Sequence, residues 1–176
     1  MSSQGMGLAA RPRAVETILL GGAIAGLLDG FDAVAYYGLA MDVPAKLLFQ
    51  HIASGVLGGA SFRGGWPTAL LGLALHFTIA FGAAAVFYAL CLVLPAMCEK
   101  PFIYGPLYGV GVYLVMHYVV VPLSRVAPRA APVSASELID QLFSHTIFVG
   151  LPIALAARRS ARRAGFRSGT HSPRTT

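Results

Sequence analysis

The stretch TALLGLALHFTIAFGAAAVFYALCLVL, residues 68–94, decides the fold class of this chain. It contains no Asp, Glu, Lys or Arg, and its single histidine is His76. A membrane-spanning helix needs about 20 mostly apolar residues to cross the hydrocarbon layer. The stretch therefore predicts a helix that crosses a membrane.

The rest of the chain has the same character, since 56% of its residues are hydrophobic and 11% are charged. Soluble domains carry roughly 25% charged residues. We predict an all-α integral membrane protein with four transmembrane helices, at about residues 15–39, 68–94, 102–121 and 138–157. Residues 1–163 then form a single transmembrane domain, and residues 164–176 form a basic, disordered cytoplasmic tail.

Residues 45–58, between the first two spans, have a different pattern. Lys46, Gln50 and Ser54 recur every four residues, and apolar residues lie between them. This spacing is typical of an amphipathic helix, and the segment is short for a span. We predict an interfacial or re-entrant helix. A fifth span here would instead place the two termini on opposite sides of the membrane.

The distribution of basic residues predicts the orientation. The chain has 13 lysines and arginines. Four of them are predicted to lie on the membrane side opposite the two termini, and the others on the same side as the termini. The four are Lys46, Arg63, Arg125 and Arg129. Cytoplasmic segments carry the excess of lysine and arginine, so we predict that both termini are cytoplasmic.

Six of the basic residues belong to one C-terminal cluster. They are Arg158, Arg159, Arg162, Arg163, Arg167 and Arg174. We predict that this cluster contacts anionic lipid headgroups of the bilayer. We do not expect nucleic acid as a partner, because Phe166 is the one aromatic residue that interleaves the cluster and could stack on bases.

Ionisable side chains within the spans point to a polar layer. A central Asp, Lys or Arg costs about 2.5–3.5 kcal/mol on insertion scales, so each calls for a reason. Counted from the predicted outer ends of their helices, five such residues lie about 6–15 Å deep. They are Asp29, Asp32, His76, His117 and His145. We predict one layer at this depth, with His51, Glu137, Asp140 and Gln141 at its rim.

Three interpretations of this layer stay open. It could be a structural network of hydrogen bonds, a site that handles protons or another ion, or a metal or haem site. For the last, His76, His117 and His145 are the candidate ligands. The chain lacks the HExxH, CxxCH and nucleophile-elbow motifs. We therefore assign no catalytic residue, expect no enzyme activity, and expect no cofactor while leaving metal and haem open.

Small residues recur on one face of the first span. Gly22, Gly26 and Gly30 are four residues apart and predict a groove where another helix can approach closely. A second copy of the chain or another membrane protein could supply such a helix. Cys91 and Cys98 are seven residues apart, which would place them about two turns apart on a continuous helix. We expect them to be buried and reduced rather than disulfide-bonded.

The chain also resembles a known family from about residue 66 to residue 163. The resemblance rests on His76 with the apolar run to Tyr88, on Pro95, and on His117 with Pro122 and Leu123. Glu137 with His145 eight residues later, and the Arg158–Arg159 exit, complete it. In these features the chain is similar to the YagU-like family of bacterial inner-membrane proteins. The resemblance implies a multi-pass protein of the bacterial inner membrane and gives weight to the three histidines, but it implies no reaction.

Overall fold

The computed structural model describes residues 12–129 and 132–169, with side chains described through residue 164. Within these residues, four helices are long and apolar enough to cross a membrane. They are Ala14–Met41, Gly65–Val93, Pro101–Leu123 and Ala135–Ala164. The prediction of an all-α membrane protein with four spans is confirmed.

The first two spans are regular helices. Helix α1 is Ala14–Met41 and helix α3 is Gly65–Val93. Between them lies α2, Ala45–Leu57, followed by the 3₁₀ turn Gly58–Arg63. The α2 helix agrees with the predicted amphipathic segment to within one residue.

The third and fourth spans are each interrupted by a π-helical turn. The third consists of α5 (Pro101–Val115), the π turn Met116–Val120 and α6 (Val121–Leu123), after the short helix α4 (Ala96–Glu99). The fourth consists of α7 (Ala135–Phe143), the π turn Ser144–Gly150 and α8 (Leu151–Gly169). Helix α8 continues through residues 164–169 of the predicted disordered tail, and residues 170–176 lie outside the described residues.

The two ends of the bundle are distinct. At one end, the start of α1 meets the end of α8, where the Thr17 and Ser160 hydroxyls are 2.7 Å apart and Arg163 Nη1 donates to Glu16 Oε1 at 2.8 Å. We call this the termini end. Helix α2 lies at the opposite end, the α2 end, where the backbone N–H of Arg125 bonds the Gly55 carbonyl at 2.9 Å.

Glycines allow the spans to approach closely. The groove predicted at Gly22 and Gly26 is filled by Phe81 and Phe77 of α3, and Gly30 faces His76. The predicted packing face is therefore used inside the chain. A second close crossing joins α5 to the fourth span, where a Cβ on Gly109 would meet the backbone of His145.

The expectation for the two cysteines was wrong, because Cys91 and Cys98 form a disulfide. Helix α3 ends at Val93, and Pro95 begins a turn into α4, so the helix that would have held the two cysteines apart is interrupted. Their Cα atoms are 5.8 Å apart, within the range that a disulfide requires. The bridge is buried at the termini end.

A polar cavity between the four spans

A cavity of about 280 Å³ lies between the spans, towards the α2 end. Its walls are largely apolar, and α1, α3 and the fourth span contribute the ionisable side chains. The predicted residues that line it are Asp29, Asp32, His76, Asp140, Gln141 and His145. The structure thus brings together four of the five predicted layer residues and two of the four predicted rim residues.

Asp29, His76 and His145, which line the cavity, each have a hydrogen-bond partner within the bundle. Ser144 Oγ donates to Asp29 Oδ1 at 2.8 Å, which links the fourth span to α1. His76 Nε2 lies 2.8 Å from the Gly26 carbonyl oxygen and His145 Nδ1 lies 2.9 Å from the Gln141 carbonyl oxygen. A carbonyl oxygen can only accept, so these ring nitrogens carry the hydrogens and the other nitrogen of each neutral ring is an acceptor.

Asp32 and Asp140 are different. Across residues 12–129 and 132–169, neither carboxylate has a hydrogen bond or an ion pair with another side chain. Asp140 lines the same cavity as Asp32 and Asp29. The cavity therefore holds three carboxylates from two spans, two of them without a partner among the described side chains.

A separate network surrounds Glu137, whose side chain is 1% exposed. Arg129 donates from Nη1 to Oε1 at 2.6 Å and from Nη2 to Oε2 at 2.9 Å. The Tyr37 hydroxyl and the Gln141 amide also donate to Oε1, at 2.8 and 3.1 Å. The bonds to Glu137 raise the pKa of Arg129 in the loop before the fourth span. The network fixes that loop beside the cavity.

One half of a capping box forms at the start of α7. Ser134 Oγ accepts a hydrogen bond from the backbone N–H of Glu137, as a capping box requires. The Glu137 carboxylate does not return to Ser134, because Arg129, Tyr37 and Gln141 bind it instead.

Besides Glu137, two predicted residues, His117 and His51, lie away from the cavity lining. His117 stacks on Tyr113 with ring centroids 5.5 Å apart, and the Tyr113 ring also contacts His145 at a centroid distance of 5.7 Å. His51, on α2, is not in the lining, although its neighbour Ile52 is. Partial burial and then the charge of Arg129 lower the pKa of His51.

Both π turns contain a histidine of the predicted layer, His117 in one and His145 in the other. A π turn adds one residue to a helical turn and is frequent at functional sites. It changes the direction in which the following side chains point. This accounts for two histidines at similar depth that do not share one cavity.

Sequence analysis missed Tyr37, Ser144 and Arg129. Tyr37 had a detectable signal, because residues 29, 33 and 37 follow at helical spacing on one face, and Ala33 and Tyr37 both line the cavity with Asp29. Ser144 and Arg129 had none, since a single hydroxyl or loop arginine has many ordinary roles.

The geometry gives no support to a metal site formed by the three histidines. Among the described residues, no group of three or more His, Cys, Asp or Glu side chains is arranged to hold a metal ion. Comparison with known proteins adds nothing further, because no family model, curated protein or solved structure matches this chain.

Proposed function

We propose that this membrane protein takes up a proton or a small cation in the cavity between its spans and that it handles ions across a bacterial inner membrane. The observation that carries the proposal is the pair Asp32 and Asp140. They come from different spans, face one cavity, and have no protein partner in the part of the chain that is described.

Electrostatics supports this choice of ligand. An ionised carboxylate is costly inside a bilayer, and like charges close together add to that cost. A bound proton or cation removes both costs. The His76 and His145 rings line the same cavity, and an imidazole nitrogen without a hydrogen can accept a hydrogen bond or bind a cation.

The test is ion flux in liposomes that contain the purified protein, measured with proton and sodium gradients. We expect the Asp32→Asn, Asp140→Asn double variant to lose at least about tenfold of the flux. Asp42→Asn is the matched control, because Asp42 is exposed in the turn after α1 with φ 53°, a conformation that Asn adopts readily. Wild-type flux no higher than that of empty liposomes, or equal to that of the double variant, would reject the proposal.

A structural role is the second candidate, and specific contacts favour it. Ser144 to Asp29 and His76 to Gly26 each tie α1 to another span through a hydrogen bond. On this account the layer holds the helices in register. Ser144→Ala and His76→Phe would then lower thermal stability, and the Asp32→Asn, Asp140→Asn variant would leave both stability and flux unchanged.

The charge pattern extends the proposal to the membrane surface. We place the termini end in the cytoplasm, as the YagU-like resemblance and the basic residues suggest. Glu16 pairs with Arg163 at 2.8 Å and with Arg159 at 3.8 Å, whereas Arg162 is exposed. Arg162 is then free to contact anionic headgroups. Arg162→Gln should weaken binding of the purified protein to anionic lipid, and Arg63→Gln at the other end should not.

A further inference from the structure

An apolar groove of about 240 Å³ lies between α3 and α5 on the outside of the bundle. Its walls are Ile79, Ala83 and Val86 of α3 and Gly111, Val112 and Val115 of α5. The Tyr108 hydroxyl donates to the Ala83 carbonyl at 2.7 Å and joins the two helices at one place. Because these walls belong to two membrane spans, the groove faces the acyl chains of the bilayer.

The groove lies next to the polar cavity. Ile79, Ala83, Val112 and Met116 line both. An elongated molecule that passes between these shared side chains would have one end among the carboxylates and the other among lipid chains.

We infer that the cavity and groove together bind an amphipathic cation, with an ammonium head against Asp32 and Asp140 and a single aliphatic chain in the groove. This inference rests on the proposed cation-binding function and names its ligand class. It also assigns the route of a cation that carries an aliphatic chain, which is lateral entry from the bilayer, whereas a cation without a chain enters from water.

Charge complementarity selects this occupant. The cavity lining contains Asp29, Asp32 and Asp140 and no lysine or arginine. Arg129, the nearby guanidinium, is bound by Glu137. An anionic or uncharged amphiphile would leave the carboxylates unpaired, whereas a cationic head pairs with them. The neutral, apolar groove matches an aliphatic chain.

The aliphatic chain of the ligand promotes binding mainly by placing the ligand in the bilayer. Lipid is as apolar as the groove, so moving the aliphatic chain from lipid into the groove gains little binding free energy beyond that of packing. A chain does concentrate the ligand in the bilayer, next to the opening. A long-chain cation should therefore reach the site at much lower total concentration than a short one.

The experiment measures binding to the protein in nanodiscs by calorimetry, with partitioning into protein-free nanodiscs subtracted. The probes are dodecyltrimethylammonium and tetramethylammonium, with dodecyl sulfate and dodecanol as chain controls. We expect saturable binding of both cations, with the dodecyl compound effective at a concentration at least about tenfold lower. Dodecyl sulfate and dodecanol should not bind saturably.

Two glycines provide matched variants. A Cβ on Gly111 or on Gly82 would meet no atom within 4 Å, and only Gly111 is among the residues that line the groove. Gly111→Phe should fill the groove and weaken dodecyltrimethylammonium binding at least about tenfold, with tetramethylammonium binding unchanged. Gly82→Phe should leave both unchanged. If Gly111→Phe does not fold, Val115→Trp replaces it, because Val115 is a half-exposed wall residue.

The outcomes separate this inference from the function on which it rests. In one outcome, both cations bind to the wild type, the Asp32→Asn, Asp140→Asn variant binds neither, and the groove-filling variants bind both normally. The lateral site would then be wrong, and cation binding would stand. If dodecyl sulfate or dodecanol binds as well as the dodecyl cation, charge selection is wrong. If neither cation binds while liposomes conduct protons, the inference fails and the cavity is a proton site.

Discussion

Arg129 and Glu137 form a two-pronged ion pair, with N–O distances of 2.6 and 2.9 Å, between a loop and the first turn of the fourth span. The arginine side chain is 51% exposed and the glutamate side chain 1%. Without Arg129, the buried Glu137 carboxylate would have only neutral hydrogen-bond donors. We expect Arg129→Ala to lower the free energy of unfolding by about 1–3 kcal/mol, measured by denaturation in detergent.

A double-variant cycle checks the cause. If the buried charge produces the loss, Arg129→Ala combined with Glu137→Gln should be more stable than Arg129→Ala alone. The control is Arg63→Ala, because Arg63 is exposed. Equal stability of the Arg129 and Arg63 variants would argue against a stabilising role for the pair.

The crossing of α5 and the fourth span should not tolerate a methyl group. A Cβ on Gly109 would lie 2.8 Å from the Thr146 Cα, and the neighbouring contact is with the His145 carbonyl. Overpacking against backbone costs about 1–3 kcal/mol, so Gly109→Ala should lower the melting temperature. Gly111→Ala, two residues away in open space, should not. Similar melting temperatures for the two variants would contradict this crossing.

The disulfide should stabilise the termini end. Closing so short a loop contributes about 2–3 kcal/mol in the chain-entropy model. Reduction of the disulfide should therefore lower the melting temperature of the wild type. The melting temperature of the Cys91→Ala, Cys98→Ala double variant should not respond to reductant. No response of the wild type to reductant would show that the bridge is absent or without effect.

The same bridge tests the proposed orientation. A cytoplasmic termini end would be a reducing environment, where protein thiols are kept open. Because both cysteines are buried in the folded protein, alkylation directly after rapid denaturation of the cells should then label Cys91 and Cys98. If both cysteines remain protected until reductant is added, the termini end faces the oxidising side and the orientation is reversed.

His51 should make stability depend on pH. Its pKa in the folded protein is lowered from 6.5, first by partial burial and then by Arg129. The unfolded chain therefore binds more protons below the ordinary pKa. The part of the folding stability that depends on a neutral His51 is fully present above pH 6.5 and is lost as the pH falls below that value. The melting temperature of the wild type should drop more than that of His51→Gln when the pH is lowered through this range.

Hydropathy predicted the four spans because a long apolar run has few solutions in lipid, where every backbone group must be bonded within the helix. Because the rise per residue is constant, it also predicted that Asp29, Asp32, His76 and His145 lie at a similar height along the bundle, and all four line one cavity. It did not predict rotation about each helix axis. His117 shows this, because it stacks on Tyr113 and is not among the residues that line the cavity.

The cysteines show a second limit. Pro95 directly follows the second predicted span, at residues 68–94, so a break in the helix could be expected there. The expectation for Cys91 and Cys98 nevertheless assumed a continuous helix. Local chain reversal brought the two Cα atoms to 5.8 Å. Tyr37 was within reach of spacing arguments, whereas the partnership of Arg129 with Glu137 depends on a loop conformation that no periodicity describes.

The π turn at Ser144–Gly150 separates α7 from α8 within one span. Deleting one residue there would convert it to an α turn and swing α7 about 100° around its axis relative to α8. Asp140 and Gln141 would leave the cavity although neither had been substituted. The composition of the cavity is thus set partly by how many residues one turn contains, so natural length variation at this place could change the ligand while the lining residues themselves stay the same.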